Sequence, residues 1–235
     1  GVSINSNNIE SFRSALKCDP ISAFGGIISC NFKINKNLAI ELSKIFLEVI
    51  IGNGFDSSAL KILKRKKNLR LIDSKNYILE ENLRFTSSNE EFLIQSEDSK
   101  IFTSKDFKVV SKKKPSSKQM KNLIFAFNVC RYVKSNAIVI ASNNSTIGIG
   151  PGQTSRLDSC QIAINKMKKF NLFNQDMVAA SDAFFPFVDG IEKLVQSGIE
   201  AIVQPSGSIR DKEIIRFANE TETVLLFSKT RHFRH

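Results

Sequence analysis

Four short segments carry the residues whose types and spacing could do chemistry: CDPISAFGG (Cys18 to Gly26), IGIGPGQTSR (Ile147 to Arg156), SDAFFPF (Ser181 to Phe187) and RHFRH (Arg231 to His235). Together they combine tight, glycine-permitted backbone with phenylalanine and isolated polar groups, which suits a site for a planar, anionic small molecule. In IGIGPGQTSR, Gly148, Gly150 and Gly152 follow a strand and precede a helix. The backbone there can approach a ligand closely, and the helix N-terminus attracts negative charge. The spacing is not the G-x-G-x-x-G of a dinucleotide fold, and no Gly-Lys-Ser or Gly-Lys-Thr follows as in a P-loop. A plain strand-to-helix connection is the alternative.

SDAFFPFVDG places three phenylalanines around a proline between Asp182 and Asp189. It reads as a flat apolar wall with a carboxylate at each rim, or as a plug in the core beneath a loop. In QPSGSIRD, Ser206, Gly207 and Ser208 offer hydroxyl and amide donors between a strand and a helix, with an N-cap as the plainer reading. The tail holds both histidines of the chain. On a terminal strand Arg231, Phe233 and His235 would share one face, and a docked tail could close an anion site; a frayed basic end is the alternative.

The elements that must position these residues alternate along the 235-residue chain. Apolar spacing predicts helices at Ile9 to Lys17, Asn37 to Leu47, Ser57 to Lys67, Met120 to Lys134, Arg156 to Phe170, Ile191 to Ser197 and Asp211 to Asn219. Strands are predicted at GGIISCN, Val49 to Ile51, Leu69 to Ile72, Ala137 to Ala141, Met177 to Ala180, Ala201 to Val203 and Val224 to Phe227, with a turn at Asn143-Asn144. This is α/β architecture around a largely parallel, covered sheet. The pattern loosens between Asp73 and Ser117, where peripheral strands precede a basic connector. Two subdomains are expected, 1–110 and 111–235.

The formal net charge is +11. The densest basic run, Lys61 to Arg70, has no interleaved aromatic residue to stack bases, so it reads as the solvated face and end of a helix and not as a nucleic-acid patch. The four cysteines are widely spaced, without C-x-x-C, and read as buried thiols; no metal site is expected. No apolar run is long enough to span a membrane, and the cytoplasm is the expected compartment.

Taken in order and spacing, CDPISAFGGII, VKSNAIV, IGIGPGQTSR, SDAFFPF, QPSGSIRD and RHFRH resemble the carboxy-terminal transformylase part of a bifunctional purine-biosynthesis family. That family joins aminoimidazole carboxamide ribonucleotide (AICAR) formyltransferase to inosine monophosphate cyclohydrolase. The resemblance implies two tandem cytidine-deaminase-like α/β subdomains without zinc, the first incomplete here. It also implies formyl transfer from the co-substrate 10-formyltetrahydrofolate to the 5-amino group of AICAR, in a homodimer with shared sites. Matched motif by motif, it assigns Gly25, Glu48, Asn136, Phe184 and Arg231 to the nucleotide. Arg156, Leu157, Asp189, Ser208 and Ile209 fall to the folate.

The family's catalytic Lys-His pair lies in a K-H-x-x-P-C/A-G segment whose last glycine matches Gly1. The chain is therefore expected to be a fragment, inactive alone, that lacks this pair and the cyclohydrolase domain. A second departure is Asn89-Glu90-Glu91 where the family usually has Asn-Gly-Gly. The rival readings are a non-catalytic basic nucleotide- or RNA-binding module and a zinc nucleoside deaminase, for which H-x-E and P-C-x-x-C are missing.

Overall fold

The computed structural model describes residues 1–77, 83–170 and 175–234. In chain order the elements are α1 (Asn8–Lys17), β1 (Gly26–Cys30), α2 (Lys36–Ser43), β2 (Leu47–Gly52), α3 (Ser57–Leu63), β3 (Arg70–Asp73), β4 (Leu83–Ser88) and β5 (Glu91–Ser96). They continue with β6 (Phe107–Val109), α4 (Ser117–Cys130), β7 (Ile138–Ser142), β8 (Ser145–Gly150), α5 (Arg156–Phe170), β9 (Val178–Ser181), α6 (Val188–Gln196), β10 (Ala201–Pro205), α7 (Asp211–Glu220) and β11 (Val224–Ser228). The mixed α/β expectation holds.

Two compact units result, and their division differs from a single cut at 110/111. One unit is Pro20–Lys100; the other joins Gly1–Asp19 to Ile101–His235. The opening residues belong with the second half because they continue its sheet. Val2 N–H donates to the Thr146 hydroxyl at 2.9 Å, Thr146 N–H donates to the Val2 carbonyl at 2.9 Å, and Ser3 bridges Ser145. Nothing in the local composition of α1 announces this distant pairing.

In the smaller unit, β1, β2 and β3 form a parallel sheet in that order. Leu38, Leu42, Ile50 and Leu63 are fully or almost fully buried. The helix expected to reach Leu47 stops at Ser43, because Leu47 opens β2 and pairs with Gly26. The helix expected to reach Lys67 stops at Leu63, and Lys64 to Lys67 lie exposed beyond it. β4 and β5 form an antiparallel hairpin in register from Leu83↔Ser96 to Ser88↔Glu91. Its turn places Asn89 at φ 50°, a left-handed conformation asparagine tolerates better than most residues, so the hairpin forms without the family's glycines. The expected peripheral strands are thus present, with Glu80, Glu81 and Asn82 outside the described residues.

The larger unit holds a six-stranded sheet in the order β6-β11-β10-β9-β7-β8. β9, β10 and β11 are parallel; β7 runs against β9 and β8 against β7. Alternation along each strand splits the apolar residues between two covered faces. Val139, Ala180, Val203 and Leu226 face Leu123, Ala126 and Phe127 of α4, while Ile138, Ala179, Ile202 and Leu225 face α5, α6 and α7. α4 starts on a reciprocal cap: Gln119 N–H donates to the Ser116 hydroxyl at 3.1 Å and Ser116 N–H to Gln119 Oε1 at 3.0 Å. The expected turn Asn143-Asn144 is present, with both residues at positive φ (50° and 52°), as a two-residue hairpin requires.

The glycine segment is a correction. Gly148 and Gly150 lie inside β8, not in a ligand loop. A side chain at Gly148 would strike the Ala163 carbonyl and one at Gly150 the Ser159 carbonyl, both on α5. These glycines let the strand and helix backbones touch; only Gly152, at φ +66°, serves a turn.

All four cysteines are free and buried. Burial pushes the thiol of Cys30 up to about 11 and that of Cys160 up to about 12, and raises those of Cys18 and Cys130. The folded state therefore favours the neutral thiol more than the unfolded chain does. That contribution is fully present below the ordinary thiol value of 9.0 and is lost as pH rises through the folded values. Denaturation midpoints should fall progressively from pH 9 upward, and replacing Cys160 by alanine should flatten the fall. Gly150→Ala should cost about 1–3 kcal/mol by overpacking, read as a lower urea midpoint with an unchanged slope.

Candidate functional site

The parallel strands β9, β10 and β11 end at one edge of the sheet, and β8 ends there too, while the antiparallel β7 begins there. The chain leaving or entering these strands supplies Asn136, Arg156, Asp182, Phe184, Asp189, Ser208, Ile209 and Arg231. Open α/β sheets bind ligands at this edge because the loops there converge.

Arg156 opens α5 and lies almost buried, its side chain 11% exposed against a fully buried Asp182. Its Nη2 donates to Asp182 Oδ1 at 2.9 Å and to Asn136 Oδ1 at 2.7 Å; Nη1 donates to the Phe184 carbonyl at 3.0 Å. Asn136 follows a cis Ser135–Asn136 peptide. Its Nδ2 donates to the carbonyls of Gln153 (2.9 Å) and Thr154 (3.1 Å), so both amide hydrogens are engaged. Asp182 is thus no rim carboxylate, which corrects the expectation of an acidic group at each end of the phenylalanine wall. Asp189, in the first turn of α6, is exposed and accepts from the Gly190 N–H at 2.7 Å.

The three phenylalanines separate by environment. Phe185 is buried against Gly190, where any side chain would meet its ring at 2.6 Å, so it is the core plug. Phe184 is half-buried, and the Arg231 guanidinium lies 4.8 Å from its ring centroid. Phe187 is exposed under Arg210 at 4.9 Å, a second guanidinium-on-ring contact.

Ser208 and Ile209 sit on the loop after β10, with Ile209 fully exposed. The donors expected of this loop are partly spent within it, since Gly207 N–H and Ser208 N–H both donate to the Asp211 carboxylate. Gly207, at φ +111°, would place a Cβ 3.4 Å from Arg231 Nη2, so this loop abuts the same arginine. Leu157 follows Arg156 and is half-buried, its N–H donating to the Ser155 hydroxyl.

The tail is docked, but not as a strand. His232 N–H donates to the Asp182 carbonyl at 2.8 Å, and Ser135 and Arg234 are tied by two bonds, Ser135 N–H to the Arg234 carbonyl and Arg234 N–H to the Ser135 hydroxyl. His232 is 1% exposed and packs on Phe102 and Phe127, while Arg231 and Phe233 are exposed. The shared face of Arg231, Phe233 and His235 is therefore not formed as expected, and His235 lies outside the described residues.

In the smaller unit Gly25 and Glu48 are neighbours. Gly25 N–H donates to the Phe46 carbonyl at 3.0 Å, its φ is +71°, and a Cβ there would lie 3.9 Å from Glu48 Oε1. Among the described residues no group of three or more His, Cys, Asp or Glu is placed to hold a metal ion, and no helix is long and apolar enough to cross a membrane.

The model of the AICARFT/IMPCHase bienzyme family matches residues 1–166. The chain belongs to that family. It is 44% identical over its whole length to the bifunctional purine biosynthesis protein PurH of Persephonella marina and 43% identical to that of Aquifex aeolicus, covering 46% of each. To the protein of the same description from Buchnera aphidicola subsp. Schizaphis graminum it is 46% identical, covering 45%. The chain thus spans about half the length of the curated relatives it matches.

Sequence reasoning assigned Arg156 to the folate and missed its buried carboxylate partner. It also left Phe187 and Arg210 unpaired. The signal for Asp182 was available: an acidic residue directly after the apolar strand Val178–Ser181 has to be paired once the strand is buried. Arg156→Ala should destabilise the fold by about 3–5 kcal/mol, because it leaves the Asp182 charge buried without its partner. Chemical denaturation checks this, and a change below 1 kcal/mol would contradict the reading of the pair.

Proposed function

We propose that the chain supplies the substrate-binding walls of an AICAR formyltransferase, in the carboxy-terminal part of a bifunctional enzyme of purine biosynthesis. The single observation that carries this is the stack of Arg231 on Phe184 beside the Arg156–Asn136 contact. A flat ring and two guanidinium groups then meet at one sheet edge in a member of this family. In this reading AICAR lies on Phe184 with its anionic part toward Arg231, and Asn136, Gly25 and Glu48 complete the nucleotide contacts. The folate co-substrate, 10-formyltetrahydrofolate, meets Arg156, Leu157, Asp189, Ser208 and Ile209. The two units are read as tandem cytidine-deaminase-like subdomains, the enzyme as a cytoplasmic homodimer with shared sites.

The chemistry explains why walls matter. The AICAR amine is a weak nucleophile, since its lone pair is delocalised into the imidazole and the carboxamide. Attack on the formyl carbon forms a tetrahedral oxyanion, the amine loses a proton, and tetrahydrofolate leaves. Juxtaposing two bound substrates can remove several kcal/mol of that barrier, roughly 7–11 kcal/mol in the best intramolecular cases. The residues at this edge hold and orient; consumption of the formylated nucleotide by cyclohydrolase action would draw the transfer forward.

The test is a formyl-transfer assay on the complete protein with Arg231→Ala. Arg231 is exposed in the free protein; once a bound anion desolvates it, removing it should weaken AICAR binding by about 2–5 kcal/mol, with the folate KM little changed. Unchanged AICAR affinity, measured by calorimetry on the same variant, would reject the placement of the nucleotide.

A further inference from the structure

A buried arginine used only to neutralise a carboxylate would meet it side-on, with two parallel N–H donors on two oxygens. Arg156 does otherwise. It gives Asp182 one bond, Nη2 to Oδ1, and turns two further N–H groups to Asn136 Oδ1 and the Phe184 carbonyl. Arg156 Nε and Asp182 Oδ2 are left buried without a hydrogen bond among the described residues. The pair therefore gives up its best mutual geometry in favour of contacts with the Asn136 segment and with the turn that follows Asp182.

Asp182 reaches further through its backbone. Its N–H donates to the Ala137 carbonyl at 3.2 Å, directly after Asn136, and its carbonyl accepts from His232 N–H at 2.8 Å, directly after Arg231. The Ser159 hydroxyl, one turn along α5 from Arg156, donates to the Asn136 carbonyl at 2.9 Å. One residue thus fixes the segments that carry Asn136, Arg156, Phe184 and Arg231.

We propose that Asp182 is the positioning residue of this site: through the Arg156 guanidinium it sets the Asn136 amide and the Phe184 carbonyl, and so couples the nucleotide wall to the folate wall. The assignment of the two walls rests on the formyltransferase reading; the positioning itself rests on the hydrogen bonds.

The experiment uses the complete protein with Asp182→Asn, which keeps the side-chain shape and both backbone bonds while removing the charge that orients Arg156. In the folded variant, kcat/KM should fall roughly 10- to 100-fold, with KM raised for both substrates and the far-ultraviolet circular dichroism unchanged. In a double-mutant cycle, adding Asn136→Ala to Asp182→Asn should cost less than about twofold more, because Arg156 no longer fixes the amide oxygen. Losses that multiply in full, or a fall in yield of folded protein with native kinetics, would overturn the proposal.

A second readout does not depend on the reaction. Nitrogen-15 spectra of the Asn136 side-chain amide should show slow hydrogen exchange in the native protein and roughly tenfold faster exchange in Asp182→Asn. Equal exchange in both would overturn the proposal. Should Asp182→Asn fail to fold, Arg156→Lys takes its place: a single ammonium can meet Asp182 but cannot also span Asn136 and the Phe184 carbonyl, so the same outcomes decide. Absence of formyl transfer in the native protein would sink the functional reading alone, and the exchange comparison would still decide the positioning.

Discussion

A carboxylate with no exposed surface has to be held on every side, because taking an ion out of water costs several kcal/mol that only a partner and further hydrogen bonds can offset. Asp182 meets that demand only in part, through one bond from Arg156 to Oδ1, and Arg156 in turn gives further N–H groups to other acceptors. Those acceptors are the Asn136 amide oxygen, from another segment of the chain, and the Phe184 carbonyl, two residues on from Asp182 itself. The desolvation of one charge pair thus ties three segments of the sheet edge together. Replacing the pair by apolar residues could leave the fold equally stable, but would remove the reason for Asn136 and the Phe184 turn to stand where they do.

The sheet decides where such a pair can sit. Along β9, alternation sends Val178 and Ala180 to the α4 face and Ala179 to the opposite face, so the strand interior has no place for a charge. The first residue beyond the strand, Asp182, is where the ladder ends and polar chemistry begins. β8 brings α5 to the same edge only because Gly148 and Gly150 let strand and helix backbones approach within contact. A bulkier residue at either place would lift α5 away and carry the Arg156 guanidinium off its acceptors.

Much of this fold was legible from periodicity. The helix at Arg156 to Phe170 and the buried strands at β7, β9, β10 and β11 follow from apolar spacing, and the Asn143-Asn144 turn from its residue types. What escaped depends on distant partners. β8 was hidden because glycines that read as loop in one dimension are strand residues when a helix packs on them in three. The division of the chain escaped because the pairing of Val2 and Ser3 with β8 spans more than 140 residues and leaves no local trace. The short helices α2 and α3 were overextended, since leucine and lysine both favour helix and only the register of β2, or the exposed turns after Leu63, ends them.

The site was legible in its residue types more than in its wiring. Phenylalanine beside proline and arginine near a terminus are visible in a string of letters, yet the string does not say that Phe185 fills the core while Phe184 carries Arg231. That split follows from Gly190: with no side chain on α6 at that point, the Phe185 ring takes the space. The tail obeys the same logic. His232 is drawn inward by the aromatic rings of Phe102 and Phe127 and by the carbonyl of Asp182. A residue buried between two exposed neighbours acts as an anchor, and Arg231 is held over Phe184 because the residue after it cannot leave.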